Sequence, residues 1–350
     1  MNKHCAILPA LLALAGPAAA GGFDGLGQSV HALFEPGNYV EFDLFGGITS
    51  VTGTDALGLQ TGDVGKDFLT IGGAFKSDIN DSFSYALIFD QPFGAGIEYM
   101  GSTLAGNSGT ITTYALTGLV RYKFDEHISI YGGPRLQTFK SNAIVPMVND
   151  YVGTMKADPA FGYSVGAAYE VPEMAFRLAL TYNSQVHHEM EGTEFGLATI
   201  SPQDTPQSLN LALQTGIDPN TLLFASIRWV DWSQIDLAPY AFELATGQPL
   251  VHFTKDTVTY MAGVGRKLNE RWTLLGSLAY EASTGEAMNP FRPFDGYTSL
   301  YVAGIYDMGQ GTKIQIGLNY VVLGNKSDPA IASFSGNSIV ASALRLSHNW

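Results

Sequence analysis

Few groups in this chain are placed for chemistry. The stretch HHEMEGTE, residues 187–194, puts His187, His188, Glu189 and Glu191 close together. These are nitrogen and oxygen donors of the kind that hold a cation. Adjacent side chains on a strand face opposite ways, however, and no second donor cluster accompanies them. The plainer alternative is a solvated outer loop, so no metal site is expected. Serines, histidines and acids are present, but no G-x-S-x-G elbow presents a nucleophile, and GNSG at 106–109 reads as a loop. No P-loop or dinucleotide fingerprint occurs. Neither catalytic residues nor a cofactor are therefore expected. The formal charge of −14 argues against a nucleic-acid partner, because phosphate binding needs a basic face.

A second set of charges recurs at alternate positions. It comprises Glu41, Asp43, Arg121, Lys123, Arg135, Glu170, Arg177, Glu281, Lys313 and Arg345. An arginine among them is a two-pronged donor suited to a ligand carboxylate. Alternatively, charges of both signs pair with each other and fill an interior. Which applies depends on the elements that carry them. In KIQIGLNYVV, residues 313–322, Ile314, Ile316, Leu318, Tyr320 and Val322 lie on one face, opposite Lys313, Gln315, Gly317 and Asn319. Residues 113–124, 176–183 and 271–281 repeat this period of two, with aromatic residues at both ends of the apolar face in 271–281. Runs of about 9–12 residues are longer than ordinary soluble strands and match tilted strands crossing a bilayer. Only 14% of residues are charged and 40 are glycine, as in a β-rich protein with an unusual solvent.

Fourteen such strands are expected, near 39–47, 67–76, 82–90, 111–124, 127–139, 160–170, 174–186, 206–214, 221–233, 256–267, 271–282, 298–307, 312–323 and 340–350. Short connections such as SDINDS, DE, VPE and LNE alternate with long ones, among them 140–159 and 187–205. That parity is the periplasmic-turn, outer-loop pattern of an all-β, antiparallel transmembrane β-barrel. Residues 1–20, with Lys3, an apolar stretch and Ala18-Ala19-Ala20, read as a secretory signal peptide cut near Ala20. Its removal takes the single cysteine, Cys5, and with it any disulfide or Cys-metal site. Residues 21–38 lack strand pattern and reach the barrel's inner mouth, where they hang free or fold into the lumen. The barrel occupies 39–350. Its last strand ends in Trp350, which is similar to the terminal aromatic signal read by the barrel assembly machinery.

Three stretches resemble the FadL/TodX-type outer-membrane transporters of long-chain fatty acids and hydrocarbons. They are SVHALFEPGNYVEF (29–42), DQPFGAGIEY (90–99) and TPQSLNLALQTGIDPNTLLFASIRWVDWS (205–233). The resemblance implies a fourteen-stranded barrel whose N-terminal segment is a hatch. Here that segment is short and reads Phe34-Glu35-Pro36-Gly37-Asn38, without the family's Asn-Pro-Ala. It also implies lateral release of hydrophobic ligands through a break in strand 3. Asp90, Pro92, Phe93 and Gly94 would form that break, since proline gives no ladder hydrogen bond and glycine weakens a strand. The alternative is that Asp90-Gln91-Pro92 simply opens an outer loop. Leu222 and Phe224 share a strand face with Arg228, and with Phe34 they are the candidate ligand-binding residues. The expected protein is a monomer of the Gram-negative outer membrane. It takes up hydrophobic small molecules by passive, gated diffusion, in contact with membrane lipid. A general porin for polar solutes and a surface lipid hydrolase are the alternatives.

Overall fold

The computed structural model describes residues 23–25 and 27–350. The expected signal peptide, with Cys5, lies outside the described residues. Fourteen antiparallel strands close into a barrel. They are β1 (Tyr39–Ser50), β2 (Phe68–Asp78), β3 (Phe83–Asp90, resuming as Gly94–Glu98), β4 (Ser108–Lys123), β5 (Ile128–Val145), β6 (Tyr151–Val171), β7 (Phe176–Asn183, then Val186–Glu194), β8 (Leu197–Thr205, then Ser208–Asp218), β9 (Thr221–Val230), β10 (Thr257–Lys267), β11 (Trp272–Glu281), β12 (Tyr297–Gly309), β13 (Thr312–Leu323) and β14 (Ser338–Asn349). Closure comes from β1, which pairs with β14 from Tyr39↔Asn349 to Ser50↔Ser338 and with β2 from Tyr39↔Lys76 to Gly47↔Phe68. No helix is long and apolar enough to cross a membrane among the described residues.

The alternating sequence produces an inverted protein. In β1, Tyr39, Glu41, Asp43 and Phe45 are buried while Val40, Phe42 and Ile48 are exposed. Around the barrel Leu278, Leu300, Ile316 and Leu318 face outward, whereas Arg121, Arg135 and Arg345 face the lumen. Such a surface is stable only against lipid. Exposed aromatics form two girdles. Phe83, Phe124, Tyr169 and Trp272 ring the end with short turns; Tyr114, Tyr163, Tyr260, Tyr280 and Tyr320 ring the other. From Trp272 to Tyr280 the strand rises by about 27 Å, or about 20 Å after tilt, close to the apolar band of such barrels.

The expected loops at 140–159 and 187–205 turn out to be strand. β5 and β6 are joined by residues 146–150 alone, and Val186–Glu194 pairs with Leu197–Thr205 from Val186↔Thr205 to Glu194↔Leu197. These strands run past the outer girdle. Their outward faces mix polar residues such as Lys140, Lys156, His187 and Glu189 with a few apolar ones such as Ile144 and Val152, so the regular apolar alternation that marks a membrane strand is missing there. A small four-stranded outer sheet, Thr52–Asp55, Gln60–Asp63, Lys326–Asp328 and Ala332–Phe334, caps the long-loop end. A short helix, α1 (Tyr240–Thr246), follows β9 in the chain and packs on the Leu197–Thr205 segment; its Ala241 and Phe242 N–H groups donate to the Glu194 carboxylate at 3.0 and 3.1 Å.

Candidate functional site

The break in β3 opens a window in the wall. Phe83–Asp90 pairs with both neighbours, from Gly73↔Phe89 to Asp78↔Ser84 on β2 and from Phe83↔Tyr122 to Asp90↔Ala115 on β4. After Gln91, Pro92 and Phe93 the strand resumes as Gly94–Glu98 against β4 alone. On β2, Phe68 to Gly72 therefore have no strand neighbour on the β3 side. Above the window the wall closes again, where the Lys66 N–H donates to the Gly96 carbonyl (3.1 Å) and the Glu98 N–H to the Val64 carbonyl (2.9 Å). An ion pair between Lys66 and Glu98 (2.8 Å) lies on the same rim. Phe89 stacks on the girdle residue Tyr114 at 5.8 Å, so the window sits at the level of the outer girdle.

Behind the window is a cavity of about 350 Å³. Phe23, Leu69, Ile111, Phe139, Met190 and Phe291 belong to its apolar lining, which Tyr114 joins from the outer girdle. Phe93 does not line it. Its ring turns inward, edge-on to Trp232 at 5.5 Å, and Trp232 stacks on Phe253 at 4.8 Å. Phe23 meets both, at 6.2 and 5.6 Å, so four aromatic rings join the N-terminal segment, the break and the loop after β9. Arg292 is the buried cation of the cavity wall, lying 4.7 Å over the Phe253 ring and pairing with Glu286 at 2.5 Å. Its Nε has no hydrogen-bond partner among the described residues. Nearby, in the outer sheet, the Lys326 Nζ is also buried without a partner there, and burial pushes its ammonium down to about 8, with Arg292 adding to the effect.

The N-terminal segment is folded into the lumen. Its first residues take the place of a missing strand beside the break: the Gly25 N–H donates to the Pro92 carbonyl (2.6 Å) and the Gly94 N–H to the Phe23 carbonyl (2.8 Å). Glycine is required at 25, because a Cβ there would lie 2.3 Å from the Gln91 carbonyl oxygen. Asp24 grips Arg228 with both oxygens, at 2.7 and 2.8 Å. Asp90, the last residue before the break, pairs with Arg135 on β5 at 3.3 Å. These two ion pairs lie one layer nearer the short turns than the cavity and floor it with charge.

Below them a 3-10 turn, His31–Phe34, carries Ala32 and Leu33 into an apolar layer with Tyr39, Ile88, Leu119 and Tyr131. Phe34 lies between the guanidinium groups of Arg121 and Arg177, each 4.5 Å from its ring. Glu35 is buried, and desolvation raises its carboxyl above the usual range while His31 and Arg177 pull the other way. The carbonyls of Pro36 and Gly37 accept from Asn349 (3.1 Å) and Lys76 (2.7 Å). Asn38 and Trp350 exchange backbone bonds at 3.2 and 3.1 Å, tying the segment to the barrel seam.

The residues singled out in the sequence thus fall in three places. Asp90, Pro92, Phe93 and Gly94 surround the window. Leu222 and Phe224 point into the lumen but pack with Met261 and Leu275, away from the cavity. Phe34 belongs to the lower layer, and Arg228, a candidate ligand-binding residue, instead holds the N-terminal segment. The interior charges pair with one another: Arg345 with Asp43 (2.6 Å), Arg121 with Glu170, and Arg135 with Asp90. His187 and His188 take opposite faces, the first on Asp204 and the second buried against the Asp158 carbonyl. Arg135 was among the inward charges expected from sequence, whereas Phe23, Asp24, Trp232 and Arg292 were not found there. Their only signal was Trp232, within the WVDWS stretch.

The description "Outer membrane protein transport protein (OMPP1/FadL/TodX)" matches residues 39–332. No curated protein matches the chain in sequence. Among solved structures, a Pseudomonas aeruginosa FadL homologue superposes with a TM-score of 0.73 at 14% identity, covering 95% of this chain and 97% of that one. The P. putida toluene transporter TodX gives 0.68 at 15%, covering 96% and 99%. The Ralstonia pickettii toluene transporter TbuX gives 0.66 at 13%, covering 97% and 99%. At these identities the superpositions establish the barrel fold, and the family match establishes kinship. The chain belongs to the outer-membrane transport protein family of OMPP1, FadL and TodX.

Proposed function

We propose that this protein lets hydrophobic small molecules enter through the outer membrane by passive, gated diffusion. Ligand is captured among the outer loops, settles in the cavity behind β3 and leaves sideways through the window. The observation that carries the reading is the window itself. Five residues of β2 without a strand neighbour on the β3 side are costly in lipid unless the gap serves as a passage. Two further features support it. The ion pairs Asp24–Arg228 and Asp90–Arg135 floor the cavity, so an apolar ligand has a downhill route only through the wall. The level of the window favours release into the outer half of the bilayer.

Residues 23–38 act as the hatch, with Phe34, Glu35, Pro36, Gly37 and Asn38 as its fixed end and Phe23 and Asp24 as its gating end. Two solved structures with this fold are described as toluene transporters, which supports an apolar ligand. Arg292 favours one with an anionic end, such as a long-chain fatty acid. The filled lumen speaks against a porin for polar solutes. On this reading the barrel functions as a monomer, and β14 with Trp350 engages the assembly machinery.

The test is to repair the wall. Pro92→Val restores the missing ladder donor and Gly94→Thr adds strand propensity; a Cβ at 94 meets only ordinary contacts at 3.5 Å. Uptake of a labelled fatty acid or toluene by cells is expected to fall several-fold at equal surface expression. Unchanged uptake would refute lateral release.

A further inference from the structure

Arg228 is over-committed to the N-terminal segment. Of its six hydrogen bonds, four go to residues 24–28: two to Asp24, one to the Gly27 carbonyl (3.3 Å) and one to Gln28 Oε1 (3.0 Å). Only Ser208 Oγ (3.2 Å) and Asn210 Oδ1 (2.9 Å) belong to the barrel wall, and both are neutral. Any withdrawal of the segment would strip a buried guanidinium of the one carboxylate it pairs with directly, which is costly.

The barrel holds a replacement. Arg228 on β9 is paired in register with Thr259 on β10, and Thr259 with Glu281 on β11. The three therefore lie in one row across the lumen face, with Arg228 and Glu281 two strand spacings, or about 10 Å, apart at their Cα atoms. Long side chains bridge that distance. Glu281 is 3% exposed. The Thr259 hydroxyl donates to its Oε2 at 2.8 Å, while Oε1 has no partner among the described residues. Asp24 and Asp295 are the other acids facing it, and Arg228 is the facing cation.

We propose that Glu281 is a positioning residue for the gate: it receives Arg228 when the N-terminal segment leaves. In the docked state Arg228 binds Asp24 and one oxygen of Glu281 stays idle. In the undocked state Arg228 swings across Thr259 and forms the Glu281 ion pair. The exchange lowers the cost of opening without adding to the strength of the closed barrel. It rests on the hatch reading, and it explains a buried carboxylate that otherwise has only one hydrogen-bond donor.

The experiment is amide hydrogen exchange on the full chain in detergent micelles, following Gly94, whose N–H is covered by the Phe23 carbonyl. Glu281→Gln removes the receiving charge and keeps the Thr259 contact. Gly94 exchange is expected to slow at least tenfold while the amides of β11 are unchanged, and Glu281→Asp should restore most of the wild-type rate. In an Asp24→Asn background Arg228 can bind Glu281 in both states, so the effect of Glu281→Gln should shrink to about twofold. An unchanged Gly94 rate in Glu281→Gln overturns the proposal, as does an equal effect in both backgrounds. If wild-type Gly94 exchanges only as slowly as the barrel amides, the segment does not undock and the hatch reading falls with it. That outcome is told apart by the wild-type measurement alone.

Discussion

Gly25 meets the break in β3 with no room for a side chain, and alanine there makes a quantitative test of the docked hatch. The added methyl carbon would lie 2.3 Å from the Gln91 carbonyl oxygen and 2.9 Å from that of Pro92. Both are backbone atoms, so no rotamer change relieves the clash. Reaching an ordinary contact of 3.4 Å requires a shift of about 1 Å, which the two short bonds of 2.6 and 2.8 Å between this segment and the break cannot follow. Each is worth about 0.5–1.5 kcal/mol, so Gly25→Ala should cost about 2 kcal/mol of docking. That is a factor of about thirty in the undocked population. Hydrogen exchange at Gly94 should accelerate by that factor, while amides in β12 and β13 keep their protection. A Gly94 rate within twofold of wild type would refute the docking geometry.

Three other outcomes follow from the cavity, the outer sheet and the seam. Arg292→Met should weaken binding of a fatty acid about tenfold or more and leave that of an uncharged aromatic hydrocarbon nearly unchanged; equal losses would remove the carboxylate role. Lys326 titrates near 8 when folded and near 10.5 in an open chain, so the folded state bears the cost of a buried charge below pH 8 and sheds it as pH rises from 8 toward 10.5. Lys326→Met should therefore raise the urea midpoint at pH 7, by up to about 3 kcal/mol of stability, and lose that advantage by pH 10; an advantage independent of pH would contradict the assignment. Deleting Trp350 removes the Trp350–Asn38 backbone pair and should reduce the amount of assembled barrel far more than uptake per assembled barrel, measured by heat-modifiable mobility against transport.

The barrel was legible in the sequence because a membrane strand carries its whole environment in its own residues. Leu, Val and Tyr at every second position, as in KIQIGLNYVV, mark a two-sided wall, and runs of about 9–12 residues with aromatic ends fit one with lipid on one side. Strand number, the parity of turns and the break at Pro92 followed from that pattern and from proline's missing donor. The strands at 140–159 and 187–205 escaped because they project beyond the lipid, where His187, Glu189 and Lys156 face water and the apolar alternation ends.

The site was a different matter. Phe23, Trp232, Phe253 and Arg292 are far apart in the chain and meet only because the barrel closes and the loops fold over it. Period two told that Arg228 shared a face with Phe224. It had no means of telling that Asp24, some two hundred residues earlier, would fill that face first. An alternating pattern fixes which side of a wall a residue faces, since that is local to the strand. What it meets on the inner side depends on strand register and on the path of the N-terminal segment through the lumen, and those exist only once the cylinder has closed.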